Sequence, residues 1–209
     1  MKLNLEEQER IDTLRYFLRD WGKYIIGLIA VIIIAYVADS LWNWYQVRDS
    51  AKAAILYQSF SAEAKNNNTP KVYAIANTME NSYPTNEYTA MASMMAAKIA
   101  KDKSENTPAE KYLKFVINNS KNNGLVDVAR LRLADVYIDE HKFNLVVPLL
   151  MEKHDKSFDA LYYSKRGDLH LAKGELNQAR EAYKAALKMA GDNQSVAEVI
   201  QMRLDVLGN

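Results

Sequence analysis

Three histidines, His141, His154 and His170, are the only side chains in this chain of 209 residues whose ordinary titration range suits acid-base work near neutral pH. No two of them stand four residues apart, so none form a metal-binding pair on one helix face. The chain has no cysteine, which removes disulfide frameworks, thiolate metal sites and thiol catalysis together. Its seven glycines build neither a phosphate-cradling loop nor a nucleophile elbow. The histidines are therefore read as structural, and no enzymatic activity, cofactor, metal or small-molecule substrate is expected. Lys and Arg number 27 against 26 acidic residues, spread evenly for a net charge of +1, so no basic stripe marks nucleic acid as a partner.

The elements that must position these residues are helices. After Ser50, apolar residues recur at helical spacing, as in Ala53, Leu56, Tyr57 and Phe60, and no long alternating stretch reads as a strand. Breaks fall at "NNNTP" (66–70), "NSYPTN" (81–86), "KDKSENTP" (101–108), "NNSKNNG" (118–124) and "GDNQ" (191–194). Thr107 with Glu110, and Ser195 with Glu198, have capping-box spacing, and Thr69-Pro70 has a cap followed by proline. The fold class expected is all-α.

One long apolar run, "YIIGLIAVIIIAYVA", fills the fifteen positions between Lys23 and Asp39. A bilayer needs ~20 residues. Trp21 and Lys23 at one end and Trp42, Trp44 and Tyr45 at the other are the types that sit at membrane interfaces, so residues 21–45 read as one transmembrane helix with its flanks. Five acidic residues precede the run and no small-x-small site follows it, which argues against a cleaved signal. Arg10, Arg15, Arg19 and Lys23 lie before the span, but only Arg48 and Lys52 follow closely. That bias favours residues 1–20 in the cytoplasm and, in a bacterial inner membrane, residues 46–209 in the periplasm, with the reversed orientation as the alternative. Ile11, Leu14, Leu18 and Trp21 form an amphipathic stripe that either docks a cytoplasmic partner or begins the membrane helix.

The spacing of breaks calls for a search for repeats. "YYSKRGDLHLAKGELNQAREAYKAALKMA", from Tyr162, resembles a tetratricopeptide repeat. In that resemblance Tyr163 fills the large aromatic position of the first helix, Gly167 lets the two helices approach, and Gly174 makes the turn. Ala179, Tyr183 and Ala186 face inward from the second helix. About 33 residues earlier, Leu133, Ala134, Tyr137, Phe143 and Val146 repeat the pattern, with Pro148 as a departure expected to delay or kink the second helix. Ala96, Ala97 and Ala109 keep the small positions of a third unit, and residues 195–207 would cap the array. Helical repeats bind proteins on the face lined by the first helix of each pair. The candidate face comprises Met91, Met94 and Lys98, then Leu131 and Asp135, then Ser164 and Asp168, although methionines at helical spacing also suit a core.

The order of parts carries a further resemblance. "WGK" (21–23), Trp42-Asn43, Gln46-Val47, Tyr57-Gln58, Arg166-Gly167, Lys173-Gly174, Ala179-Arg180 and "QMR" (201–203) are short but collinear. On these residues the chain resembles the YfgM family, the ancillary subunits of the bacterial SecYEG translocon. The resemblance implies a single-pass type II inner-membrane protein with a periplasmic tetratricopeptide-like domain. Its implied partners are SecYEG and a PpiD-like parvulin-type periplasmic chaperone, with secretory client proteins handed on to periplasmic chaperones. A tethered scaffold for another envelope complex, or a tether for a cytoplasmic stress-response regulator, would use the same architecture.

Overall fold

A computed structural model describes the backbone of residues 5–208 and the side chains of residues 21, 23, 24, 27–41 and 48–208. The side chains of Trp42, Trp44 and Tyr45, and of Ile11, Leu14 and Leu18, lie outside the described residues. Among the described residues the regular structure is helical and no strand occurs. The helices are α1 (Leu5–Lys65), α2 (Thr69–Ser82), α3 (Glu87–Asp102), α4 (Asn106–Asn119), α5 (Asn123–Asp139), α6 (Phe143–Met151), α7 (Asp159–Ala172), α8 (Leu176–Ala190) and α9 (Gln194–Val206). A 3-10 turn, Lys156–Phe158, precedes α7. The chain divides into two compact units, residues 1–49 and 50–209.

Between residues 28 and 38 the helix of the first unit is apolar on every side. Leu28, Ile29, Val31, Ile32, Ile33 and Ile34 are each at least half exposed, and at 100° per residue such a run covers the whole circumference. Among the described residues no helix is long and apolar enough to cross a membrane. The side chain of Trp21 meets Tyr24 at a ring separation of 6.1 Å, and Lys23 Nζ lies 5.0 Å from the same ring.

In the second unit, sequence spacing explains burial helix by helix. Val72, Ala76 and Met79 on α2, and Ala179, Tyr183, Ala186 and Ala190 on α8, fall at intervals of three and four residues and are buried. On α3, Ala90, Ala92, Ala96, Ala97 and Ala100 are all buried, so this helix packs against α2, α4 and α5 with little side-chain bulk in between. The main core runs from Phe60 to Leu169, and a second cluster gathers Ala160, Ala179, Tyr183, Ala186, Ala190 and Ile200.

The hairpins close through one repeated turn. Asn67, Ser104, His141 and Gly174 have φ of 55°, 60°, 55° and 77°, the left-handed region. In each case the next amide reaches back to the carbonyl five residues earlier: Asn68 to Glu63 at 3.0 Å, Glu105 to Ala100 at 2.8 Å, Lys142 to Tyr137 at 2.8 Å, Glu175 to His170 at 2.9 Å. This is a Schellman-type helix stop, and it satisfies carbonyls that the helix end leaves open. The intervals are 37 (67 to 104), 37 (104 to 141) and 33 (141 to 174) residues. Four helix hairpins result: residues 50–65 of α1 with α2, then α3 with α4, α5 with α6, and α7 with α8. Helix α9 follows as a single cap.

Helix starts differ from the capping boxes read in the sequence. Helix α9 is capped by Asn193, whose Oδ1 accepts the Val196 amide at 3.3 Å, so Ser195 is already inside the helix. Helix α4 begins at Asn106 directly after the turn, which puts Thr107 inside as well. In both cases the preceding turn, rather than the box, fixes where the helix can begin. Pro148 does not delay its helix. Helix α6 starts at Phe143 without delay, and with proline at its sixth residue it is only nine residues long.

Helices α7 and α8 approach at Gly167. A Cβ built there would lie 2.4 Å from a ring carbon of Tyr183, whose side chain is fully buried and has no room to retreat. Gly167→Ala should destabilise the second unit by about 1–3 kcal/mol, as overpacking does. Pairing it with Tyr183→Leu should cost less than the sum of the two changes, because the clash partner is removed. Thermal unfolding of the four variants checks this, and strict additivity would show that the contact is not limiting. The turn gives a second expectation. Gly174→Ala should cost about 1–2 kcal/mol, whereas Ser104→Gly should not destabilise, since the left-handed backbone penalises only residues with a Cβ.

Candidate protein-binding groove

The repeated turn sets the register of the helices that precede it. Residues 13, 9, 6 and 2 positions before each left-handed residue follow a 4, 3, 4 spacing and share one helix face. On α3 these are Met91, Met95, Lys98 and Asp102; on α5, Val128, Arg132, Asp135 and Asp139; on α7, Leu161, Lys165, Asp168 and Ala172. Helix α9 ends before Gly208, also left-handed at φ 69°, and the same count gives Ser195, Val199, Met202 and Val206. Because α3 packs on α5, α5 on α7 and α7 on α9, the stripes lie side by side. Two grooves open between them. One, of about 430 Å³, is walled by Lys98, Lys101 and Asp102 on one side and Arg132, Asp135 and Asp139 on the other. The second, of about 300 Å³, lies among α5, α7 and α9, with Val128, Leu161 and Val199 as apolar walls.

The residues expected to form this face are divided by the structure. Met91 is 43% exposed and Lys98 is exposed, whereas Met94 is 7% exposed and joins the core. The exposed companion of Met91 is Met95, one full turn away. Leu131 and Ser164 are buried yet floor the second groove, and Asp135 and Asp168 stand partly exposed. Of the residues taken to define the repeat, Ala179, Tyr183 and Ala186 have no exposed surface. Tyr163 is partly buried, with the Arg166 guanidinium 4.9 Å from its ring centre, and the fully buried aromatic of α7 is its neighbour Tyr162. Arg132, Lys165 and Arg203 also reach the grooves, although the sequence does not mark them as members of this face. The signal for the first two was their place nine residues before His141 and Gly174.

Asp168 is the hub of the charged part. It accepts hydrogen bonds from the Tyr183 hydroxyl at 2.9 Å, from Lys165 Nζ at 2.8 Å and from Arg203. Lys165, itself buried, also pairs with Asp135. Burial pushes the Asp135 carboxyl above its ordinary range, and the neighbouring Lys165 works against that push. Burial alone would lower Arg203, but its hydrogen bond and charge contact with Asp168 outweigh it and raise the guanidinium further. Tyr183 is held well above the usual phenol range by burial and by the carboxylate beside it. Lys165 and Arg203 thus serve as ties between helices, since each is held by a carboxylate from another helix.

The histidines serve other ends. His141 occupies a turn. His170 Nδ1 lies 2.6 Å from the Glu175 carboxylate, across the next turn. His154 stacks flat on Tyr162, ring centres 3.7 Å apart, with Nδ1 2.9 Å from the Glu152 carbonyl and Nε2 3.0 Å from Asp159. It borders a third cavity of about 350 Å³ whose buried acid, Asp127, accepts from the Tyr162 hydroxyl at 3.0 Å, Arg130 at 3.2 Å and the Asp155 amide at 3.2 Å. Burial and Asp127 push the Tyr162 phenol up to about 12. These bonds pin the segment between α6 and α7. Among the described residues no group of three or more His, Asp or Glu is placed to hold a metal ion.

Apolar side chains with interspersed fixed charges suit the holding of another polypeptide. The comparisons with known proteins bear on this. The chain is 26% identical over 208 residues to a Neisseria gonorrhoeae protein named "Ancillary SecYEG translocon subunit", covering 99% of this chain and 100% of the relative. Its counterpart of the same name in Escherichia coli is 25% identical over 210 residues, 99% of each chain. A third, from Aggregatibacter actinomycetemcomitans, is 23% identical over 207 residues, 99% of this chain and all of the relative. No solved structure matches significantly. Residues 15–209 match the profile of the tetratricopeptide repeat-like domain, almost the whole chain and all four hairpins, and the protein belongs to that family.

Proposed function

We propose that the protein is a membrane-anchored, non-enzymatic adaptor that associates with the SecYEG translocon and offers the α3–α5–α7–α9 face to other proteins. The observation that carries this is the end-to-end similarity to proteins named as ancillary subunits of that translocon. The first unit supports the anchor. A helix apolar around its whole circumference between residues 28 and 38 is stable only when covered, and lipid covers it on all sides at once. Residues 1–20 would be cytoplasmic, 21–45 the span with its interfacial flanks and 46–209 periplasmic, following the excess of basic residues before the span. A PpiD-like periplasmic chaperone and secretory clients would then meet the grooves, the protein assisting the hand-over of secreted chains to periplasmic chaperones.

Two measurements test this. A protease added outside spheroplasts should digest the C-terminal domain while a cytoplasmic control stays intact. Protection of the C-terminal domain beside a cleaved periplasmic control would reverse the topology. Photo-crosslinkers placed in cells at Met91, Leu161 and Val199, all at least a third exposed, should capture SecYEG subunits, the isomerase-type chaperone or secretory clients. Capture from the opposite face, at Met189 or Leu176, with none from the groove positions, would refute the groove as the interface.

A further inference from the structure

One charge on the groove face is left over. Around the two grooves stand five cations, Lys98, Lys101, Arg132, Lys165 and Arg203, and four carboxylates, Asp102, Asp135, Asp139 and Asp168. Every carboxylate has a cation. Lys98 pairs with Asp102 at 3.1 Å, Lys101 with Asp139 and Lys165 with Asp135, and Asp168 holds both Lys165 and Arg203. Arg132 is exposed, walls both grooves, and has no hydrogen bond or ion pair among the described residues. The excess of one positive charge therefore sits at its guanidinium, beside the apolar wall made by Val128, Leu161 and Val199.

We propose that this face takes an extended protein segment by a single side-chain carboxylate bound to Arg132, with an apolar side chain two residues away seated against Val128, Leu161 and Val199. The inference rests on the protein-binding reading above and adds the chemistry of what is bound. A guanidinium matches a carboxylate in two parallel hydrogen bonds and stays charged at any physiological pH. Since the paired charges cancel and one positive charge remains, a single carboxylate neutralises the site, whereas a dianionic phosphate or a polyanion would leave it with excess negative charge. The geometry fits an extended chain. Arg132 and Val128 are one helical turn apart, about 6 Å along α5, and alternate side chains of an extended segment are separated by about 7 Å.

The test uses the full-length chain in detergent and a fluorescent peptide with the centre Leu-Ser-Glu-Ser-Leu, compared with versions carrying Gln or Lys in place of Glu. Fluorescence anisotropy should show the Glu peptide binding about tenfold tighter than the other two at low salt. Arg132→Gln should abolish that preference and Arg132→Glu should transfer it to the Lys peptide, with unchanged melting temperatures because Arg132 is exposed and unpaired. Equal affinity of the Glu and Gln peptides for the wild-type chain, with binding still lost in Leu161→Asp, would overturn the carboxylate anchor and leave the protein-binding groove standing. A preference that survives in Arg132→Gln would overturn it too. Failure of all three peptides to bind would sink both the anchor and the groove.

Discussion

Everything in the second unit follows from a single backbone event, the left-handed residue that stops the first helix of each hairpin. Once φ turns positive at Asn67, Ser104, His141 and Gly174, the following amide is committed to the carbonyl five residues back, and the next helix starts two residues later. The stop fixes where a helix ends, and therefore which of its faces points along the array. The stripe of groove residues is a consequence of that registration and not of any attraction among the stripe residues themselves.

The second constraint is closeness. Alanine and glycine at the crossings let backbones approach, so the larger residues, Tyr112, Tyr162 and Tyr183, are enclosed rather than pushed to the surface. Each of these tyrosines then needs a partner for its hydroxyl, and each finds one on a different helix: Asn77 for Tyr112 at 3.2 Å, Asp127 for Tyr162 and Asp168 for Tyr183. Polar bonds of this kind add little net free energy, about 1 kcal/mol apiece, but leaving them unmade is costly, so they select one packing over its neighbours. At Asp168 the same bond that secures Tyr183 also organises Lys165 and Arg203, which joins core packing to the chemistry of the groove.

The all-helical class, the tetratricopeptide-like pairing and the glycine turn at Gly174 were legible in the sequence because they depend on residue types with strong local preferences. Three further copies of the same turn were hidden. Asparagine, serine and histidine carry the left-handed backbone there, and although asparagine and histidine tolerate it better than most, none marks such a turn in a sequence as glycine does. Without those landmarks the register on α3 slips, which is how Met94 was grouped with Met91 when Met95 is its exposed companion. Arg132, Lys165 and Arg203 were missed for a related reason. A lone basic residue on a helix looks like solvated surface until the turn count aligns it with its equivalents on neighbouring helices. Pro148 shows the opposite limit, since its presence was obvious but its effect, a short α6 that still starts on time, depended on the turn before it.

The seam between the two apolar clusters runs through α7. Tyr162 and Leu169 belong to the larger cluster, and Ala160 and Tyr163 to the smaller one shared with α8 and α9. Since each helix touches little beyond its chain neighbours, such an array melts more like a zipper than like a globule. Helix α8 is bound to α7 by the most extensive pairing in the array, so α9 is the element whose opening disturbs least, and amide exchange should be fastest there. Opening of α9 would release the Asp168 to Arg203 tie and widen the second groove, which makes this helix a gate on that groove.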